Sequence, residues 1–270
     1  MIFAAVNLFS LFDSLTSPKP AHKEENPKQE EFDIQVNGEN VRVKIRFEQR
    51  FNNRATVNKN GILIRISARQ QKDEQRKQID TLLKWAKEKL GDKPELLDSL
   101  KQRYYVNGEI LRLGTQEFII SIYYNDIAKS SAKIFRNNIV LSMAKGLTKE
   151  AEANAASYLI SKCLCKFYLP IVTERLHELN ARFFKKNLHS VKMKYASSFW
   201  GHCSHNGHIV ISVRLMFAPP RTIDYVLIHE LAHLVHHDHS VRFWKLVEQV
   251  MPDYRIHEKH LQENHLKYYL

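Results

Sequence analysis

Disulfide chemistry is the first thing this sequence excludes. Three cysteines, Cys163, Cys165 and Cys203, are spread through 270 residues. An odd number without disulfide spacing favours a reducing compartment, and we expect a cytoplasmic protein. Cys163 and Cys165 stand two apart, which on a helix points them to different sides and argues against a metal pair. Cys203 reads as a small packing residue. A transmembrane segment is also missing. Residues 1–16 are apolar but interrupted by Asp13, too short to cross a bilayer, and without the basic opening of a secretory signal. We read them as a flexible or amphipathic extension, followed over 18–31 by a polar, Pro-containing linker. No internal repeat is legible in the sequence, nor any RNP or zinc-finger signature. Acidic residues are in deficit, 29 against 41 Lys and Arg, for a formal charge of +12. Such a basic surface could meet nucleic acid, anionic membrane or acidic protein.

Against these absences stands a 44% hydrophobic content, enough for a real core. Val41, Val43, Ile45 and Phe47 alternate with Arg42, Lys44 and Arg46, the pattern of a half-buried strand with a cationic outer face. Asn58 to Gly61 is a turn signal, and Ile62 to Ile66 returns as a second strand. A helix follows over about 71–91, with Ile79, Leu82, Leu83, Ala86 and Leu90 as its apolar stripe. Short strands are expected at Glu109–Leu113, Glu117–Tyr123, Ala132–Phe135 and Asn138–Ser142. A long helix should then run from Lys149 towards Leu179, with Pro170 a candidate break. Val191–Tyr195 and His208–Val213 read as strands. Pro219 and Pro220 stop that segment, and Thr222 is a candidate cap for the next helix.

That next helix carries the chemistry. His229 and His233 stand four apart with Glu230 directly after the first, inside the apolar stretch Tyr225-Val226-Leu227-Ile228 and Leu231-Ala232. At about 3.6 residues per turn both imidazoles lie on one face and can reach one ion, while Glu230 is turned aside by roughly 100°. This is the arrangement of a zinc hydrolase: the ion acidifies water at its open position, and the carboxylate beside it acts as general base. A catalytic zinc normally takes three protein ligands. His236 would share the face if the helix continued, but about 10.5 Å along the axis from His229, which strains a tetrahedral site. A ligand arriving after a turn is better placed. Asp238-His239-Ser240 ends such a turn, with Ser240 a candidate N-cap for the helix at Val241. We therefore choose His239 as the third ligand. The run also reads HExxHxxHxxH, which copies metzincin ligand spacing with His236 where those enzymes place Gly, but His adopts that backbone conformation less readily and no Met-turn follows, so a true metzincin ranks low.

Several blocks in order carry a resemblance: Trp200-Gly201-His202-Cys203-Ser204, then HIVISVRLMFAPP, TIDYVLIHELAHL, DHSVRFW and MPDY. Together they resemble the YgjP-like metallopeptidase domain, a relative of the SprT-like proteases, most strongly over about 195–255. The resemblance implies His229, His233 and His239 as zinc ligands and Glu230 as the catalytic residue, in agreement with the geometric choice. It departs at Phe199, His202 and Ser212, where the family usually has Arg, Ser and Asn.

We accordingly expect an α+β protein. Residues 1–31 form the extension and linker, 32–147 a strand-rich part with one helix, and 148–270 a zincin-like metallopeptidase unit whose active-site helix packs on a small sheet. The expected function is a zinc endopeptidase acting on unfolded or extended protein segments taken up by strand addition. A nucleic-acid-associated SprT-like protease and a non-catalytic, zinc-stabilised adaptor are the alternatives.

Overall fold

A computed structural model of the chain describes residues 28–58, 61–98 and 100–270. The expected extension and most of the linker lie outside these residues. Two compact units divide the chain between Lys101 and Gln102. This boundary falls earlier than the line drawn between 147 and 148. The cause is packing: Phe118, Ile120, Ile139 and Leu141 share one hydrophobic cluster with Ile160 and Leu164 of the following helix.

The first unit is a four-stranded sheet in the order β1-β2-β4-β3, from β1 (Gln29–Val36), β2 (Glu39–Glu48), β3 (Arg54–Asn58) and β4 (Gly61–Ser67). Gln29 to Glu31, assigned to the linker from the sequence, pair with Arg46 to Lys44 and begin β1. The outer pairs are antiparallel and the central β2–β4 pair is parallel. Alternation decides the faces: Val41, Val43, Ile45, Ile62, Ile64 and Ile66 are buried. The helix α1 (Lys72–Gly91) packs on β3 and β4 with Ala86 and Leu90 buried, along the expected stripe. A short helix, α2 (Pro94–Asp98), ends the unit.

The second unit opens with the same design. Strands β5 (Ile110–Leu113), β6 (Gln116–Asn125), β7 (Ser131–Phe135) and β8 (Asn138–Ala144) form the order β5-β6-β8-β7, again with a parallel central pair. The correspondence is in register. Glu39 and Gln116, Arg54 and Ser131, Gly61 and Asn138, and the helix starts Lys72 and Lys149 are each separated by 77 positions (116 − 39 = 77). The chain therefore does contain a repeat, of topology and of buried alternation. Sequence inspection misses it because Val43/Ile120 and Ile64/Leu141 keep apolar character without keeping identity.

The helix α3 (Lys149–Leu179) lies on this second sheet. Thr148 caps it, accepting from the Ala151 amide at 3.2 Å. Pro170 does not break it: Tyr168 and Val172 on either side are buried, and packing offsets the lost backbone bond. Together with the π-helical turn Asn180–Phe184, α3 is long and apolar enough to cross a membrane by length and composition. Its stripe of Ile160, Leu164, Val172 and Leu176 is nonetheless part of the unit's core.

A smaller sheet follows, ordered β10-β11-β9, from β9 (Ser190–Lys194), β10 (Gly201–Cys203) and β11 (His208–Ser212). β11 runs parallel to β9 and antiparallel to β10, which leaves β10 at an edge. A 3-10 turn, Val213–Phe217, leads into α4 (Pro220–Ala232), with α5 (Val241–Val250) and α6 (Tyr254–Asn264) completing the unit. The α4 helix starts at Pro220, as the preformed φ of proline favours. Thr222 is not its cap; it lies in the first turn, and its hydroxyl sits 3.0 Å from Nδ1 of His257.

One glycine is dictated by the repeat's first copy. Gly61 has φ +102°, and a Cβ there would collide with the carbonyl oxygen of Arg42, 2.9 Å from its carbon. Gly61→Ala should lower the thermal midpoint of the protein by an amount equivalent to about 1–3 kcal/mol or more. Calorimetry or circular dichroism showing an unchanged midpoint would contradict this placement of β4 against β2.

Candidate metal centre

The centre is built on α4, whose residues Tyr225 to Ala232 are all at most 3% exposed. An apolar segment buried on every side holds its helix by packing rather than by amphipathicity. Two ionisable groups, His229 and Glu230, are buried within it, which is costly unless they are used or partnered.

Helix α4 ends with His233 as its C-cap residue. The amides of Leu234 and Val235 turn back to the carbonyls of Leu231 and Ala232, both at 3.0 Å, and the His236 amide reaches Ala232 O at 2.9 Å. The helix therefore does not continue to His236, and the geometric objection to that residue becomes moot. Its contribution is a backbone one: the His236 carbonyl accepts from Nδ1 of His233 at 3.1 Å. That bond fixes the tautomer and leaves the Nε2 lone pair of His233 free to ligate. The ring of His237 instead lies 4.3 Å from that of His205, centroid to centroid.

The chain then returns. His239 brings its Nε2 to 3.1 Å from Nε2 of His229. Ligand nitrogens of His229, His233 and His239 all lie within 4.8 Å of one another. Two imidazole nitrogens bound tetrahedrally at 2.0–2.1 Å from a zinc would be about 3.3 Å apart, so the His229–His239 separation fits a shared ion. Helix α5 supports the rings. Phe243, fully buried, stacks on His233 at 4.6 Å, and Trp244 stacks on His239 at 5.9 Å. Ser240 opens α5 without a side-chain cap bond; its amide is held by Oδ1 of Asp238 at 3.3 Å.

Burial, then the neighbouring His233 and His239, hold the His229 imidazole well below its ordinary range. Burial and His239 bring His233 down to about 4. Both rings are neutral at pH 7, the form that binds a metal. Burial pushes the Glu230 carboxyl up to about 8.

Glu230 lies against β10. A Cβ on Gly201 would stand 2.6 Å from its Cγ, so the strand can pass the carboxylate at this distance without a side chain in between. Cys203, two residues on, is pushed up to about 12 by burial and by Glu230, and stays a thiol. The sequence reading quoted Gly201 without giving it a role, and it expected an edge strand without locating it at β10, which is too short to show alternation. It also missed Arg214. That side chain is 7% exposed, and its guanidinium donates to the carbonyls of Ser197 at 3.0 Å and His265 at 2.7 Å, and also to Tyr268 O. It lies over the Trp200 ring at 4.8 Å, and so ties the residues before β10 to the segment after α6. An arginine inside the apolar run Val213 to Phe217 was the available signal.

A family model described as YgjP-like, metallopeptidase domain, matches residues 52–264. The crystal structure of the metallopeptidase zymogen of Pyrococcus abyssi abylysin matches with 24% identity and a TM-score of 0.32, over 34% of this chain and 92% of that one. No curated protein matches the chain.

The raised Glu230 carboxyl has a consequence for the metal-free protein. Its folded state keeps the proton up to about pH 8, whereas the unfolded chain loses it near 4.5, so stability falls as pH rises between those values. Glu230→Gln removes this loss. With chelator present, the variant should unfold at a higher temperature than the parent at pH 8, and the gap should shrink towards pH 5. A gap that does not change with pH would contradict the burial of an ionisable carboxyl.

Proposed function

Since the chain belongs to the YgjP-like metallopeptidase domain family, we propose that it is a zinc-dependent peptidase in which His229, His233 and His239 hold the ion and Glu230 is the general base. The observation that carries this reading is the convergence of three imidazole nitrogens within 4.8 Å, next to a buried glutamate. Three neutral imidazoles suit zinc, and a catalytic site of that metal keeps one position open. A zinc held there supplies Lewis acidity towards water and towards a peptide carbonyl.

The protein's own part is proton handling and positioning. A carboxylate oxygen of Glu230 takes a proton from the attacking water and returns it to the leaving amine nitrogen. Burial alone lifts this carboxyl to about 8. A dication beside it would act in the opposite sense and favour the carboxylate that a general base requires. The Phe243 and Trp244 rings lock the ligand rings and keep water from the back of the site.

Substrate positioning falls to β10. It is an end strand whose face passes Glu230 at Gly201, and an extended peptide can add to the outer edge of such a strand through backbone hydrogen bonds. That mode reads main chain more than side chain, so the substrate class we propose is an unfolded or extended protein segment. Three free cysteines suit a reducing compartment, and on that ground we place the enzyme in the cytoplasm.

Metal analysis paired with proteolysis of an unfolded protein tests the assignment. The parent should hold about one zinc per chain, and His229→Ala, His233→Ala or His239→Ala should each lose it, while His236→Ala and His237→Ala keep it. Glu230→Gln should retain zinc and fold but lose a factor on the order of 10²–10⁴ in rate. Cleavage by Glu230→Gln at the parental rate would refute the general base. Normal zinc binding with no parental cleavage would favour the zinc-stabilised adaptor.

A further inference from the structure

The sheet of the first unit carries, opposite its buried face, a row of arginines that its topology does not require. Arg46 on β2 pairs in register with Arg65 on β4, and Arg65 with Arg54 on β3. At about 4.8 Å between strands, three guanidinium-bearing side chains stand in a row about 10 Å long. Like charges directly opposite one another destabilise a sheet. One carboxylate relieves the row: Glu48 lies 3.3 Å from Nε of Arg65 and 3.3 Å from an Arg50 nitrogen. Among the described residues no carboxylate pairs with Arg46 or Arg54, and Nε of Arg46 is buried without a hydrogen-bond partner. The neighbouring β1–β2 border is different. There Asp33 pairs with Arg42 and Glu31 with Lys44.

The patch continues at the same end of the sheet. The loop from β2 to β3 crosses the end of β4 and carries Arg50 and Phe51, while Arg69 follows β4. Phe51 is 82% exposed, and the Arg69 guanidinium lies 4.4 Å from its ring centroid. Phe51, with the Arg69 guanidinium over its ring, is the most exposed large hydrophobic side chain among the described residues.

The repeat supplies an internal comparison. Adding 77 to Arg46, Arg65 and Arg54 gives Tyr123, Ser142 and Ser131, which are paired across β6, β8 and β7 in the same register. The same sheet is thus built a second time with no charge in that row. The positive charge is a property of this face and not of the fold.

We propose that this face binds single-stranded nucleic acid, with backbone phosphates along Arg46, Arg65 and Arg54 and a base stacked on Phe51. Planar guanidinium forks match phosphate in a bidentate way, and an exposed ring beside a cationic track is how sequence-tolerant single-strand binders hold bases. An acidic peptide would use the arginines but not the ring, whereas an anionic bilayer would take both, so phosphatidylserine vesicles serve as the competing probe. The proposal is independent of the peptidase reading, which concerns the second unit.

Fluorescence anisotropy of the full chain with labelled oligothymidylate and oligouridylate, repeated across a range of salt concentrations, tests it. The parent should bind with a salt slope of about −0.7 per phosphate engaged. The Arg46→Gln/Arg54→Gln double variant should bind at least about tenfold more weakly at low salt, with the slope reduced by about 1.4, equivalent to two phosphates. Removing like charges from a row should leave its thermal midpoint unchanged or raised. Phe51→Ala, on an exposed loop and so safe for folding, should weaken binding about tenfold with the slope unchanged. Lys133→Gln, on the outer face of the second sheet, should bind like the parent. Parental binding by the double variant would overturn the proposal. So would a Phe51→Ala protein with parental affinity, together with equal binding of heparin or phosphatidylserine vesicles, since the face would then be a general polyanion surface.

Discussion

Everything in the second unit depends on keeping two ionisable side chains, His229 and Glu230, in the middle of a helix that is buried on all sides. Moving such groups out of water costs several kcal/mol each if they remain charged, and proteins meet that cost by changing their protonation. Here both shifts run in the same direction, towards the neutral species: the imidazole is held unprotonated and the carboxyl protonated. Neutral imidazole is what a metal needs. The desolvation that is a penalty for folding is therefore also the preparation of the site. It is consistent with the full burial of Tyr225, Leu227, Leu231 and Ala232 on α4, and with Phe243 and Trp244 stacking on the candidate ligand rings. A wetter helix would titrate its histidines near their ordinary value and bind metal in competition with protons.

The repeated ββββα design shows how one topology serves two ends. In both copies the buried face is set by the same alternation, Val43 and Ile45 in the first and Phe118 and Ile120 in the second, and that alternation suffices to fix register. The outer faces are free of that constraint, and there the copies part: arginines in the first, and tyrosine, isoleucine and serine in the second. Its second helix has also been lengthened. Where α1 stops at Gly91, α3 continues through Pro170 to Leu179, and α3 packs on β9 of the small sheet that carries β10 as well as on β7 and β8.

Legibility from sequence followed physical periodicity. Long elements with a strong period were readable: α1 from Ile79, Leu82, Ala86 and Leu90, β2 from its alternating apolar residues, and the strands from 110 to 144 to within two residues of their observed limits. Two of the candidate ligands, His229 and His233, were readable because i and i+4 share a helix face, and His239 because a turn had to follow them. What was not readable lacked a period. A three-residue edge strand such as β10 shows no alternation, a buried arginine such as Arg214 looks like any other cation, and the unit boundary at Lys101 is set by contacts between residues far apart in the chain. The repeat escaped notice for a related reason: an alternating pattern is shared by all half-buried strands, so only the pairing register distinguishes a copy from a coincidence.

The bond between His233 Nδ1 and the His236 carbonyl carries more than its length suggests. A carbonyl just past the end of a helix needs a donor, and a ligating imidazole needs its second nitrogen occupied. One contact meets both needs. It spans the turn that follows the last residues of α4, and beyond that turn the chain brings His239 Nε2 to 3.1 Å from Nε2 of His229. Had the helix run one turn further, His236 would have stood on the ligand face, and the residues after it would have travelled away along the axis. The position of the third nitrogen is therefore decided by helix termination more than by which histidine is nearest in sequence. The five residues between His233 and His239 are the length of chain that this reversal requires.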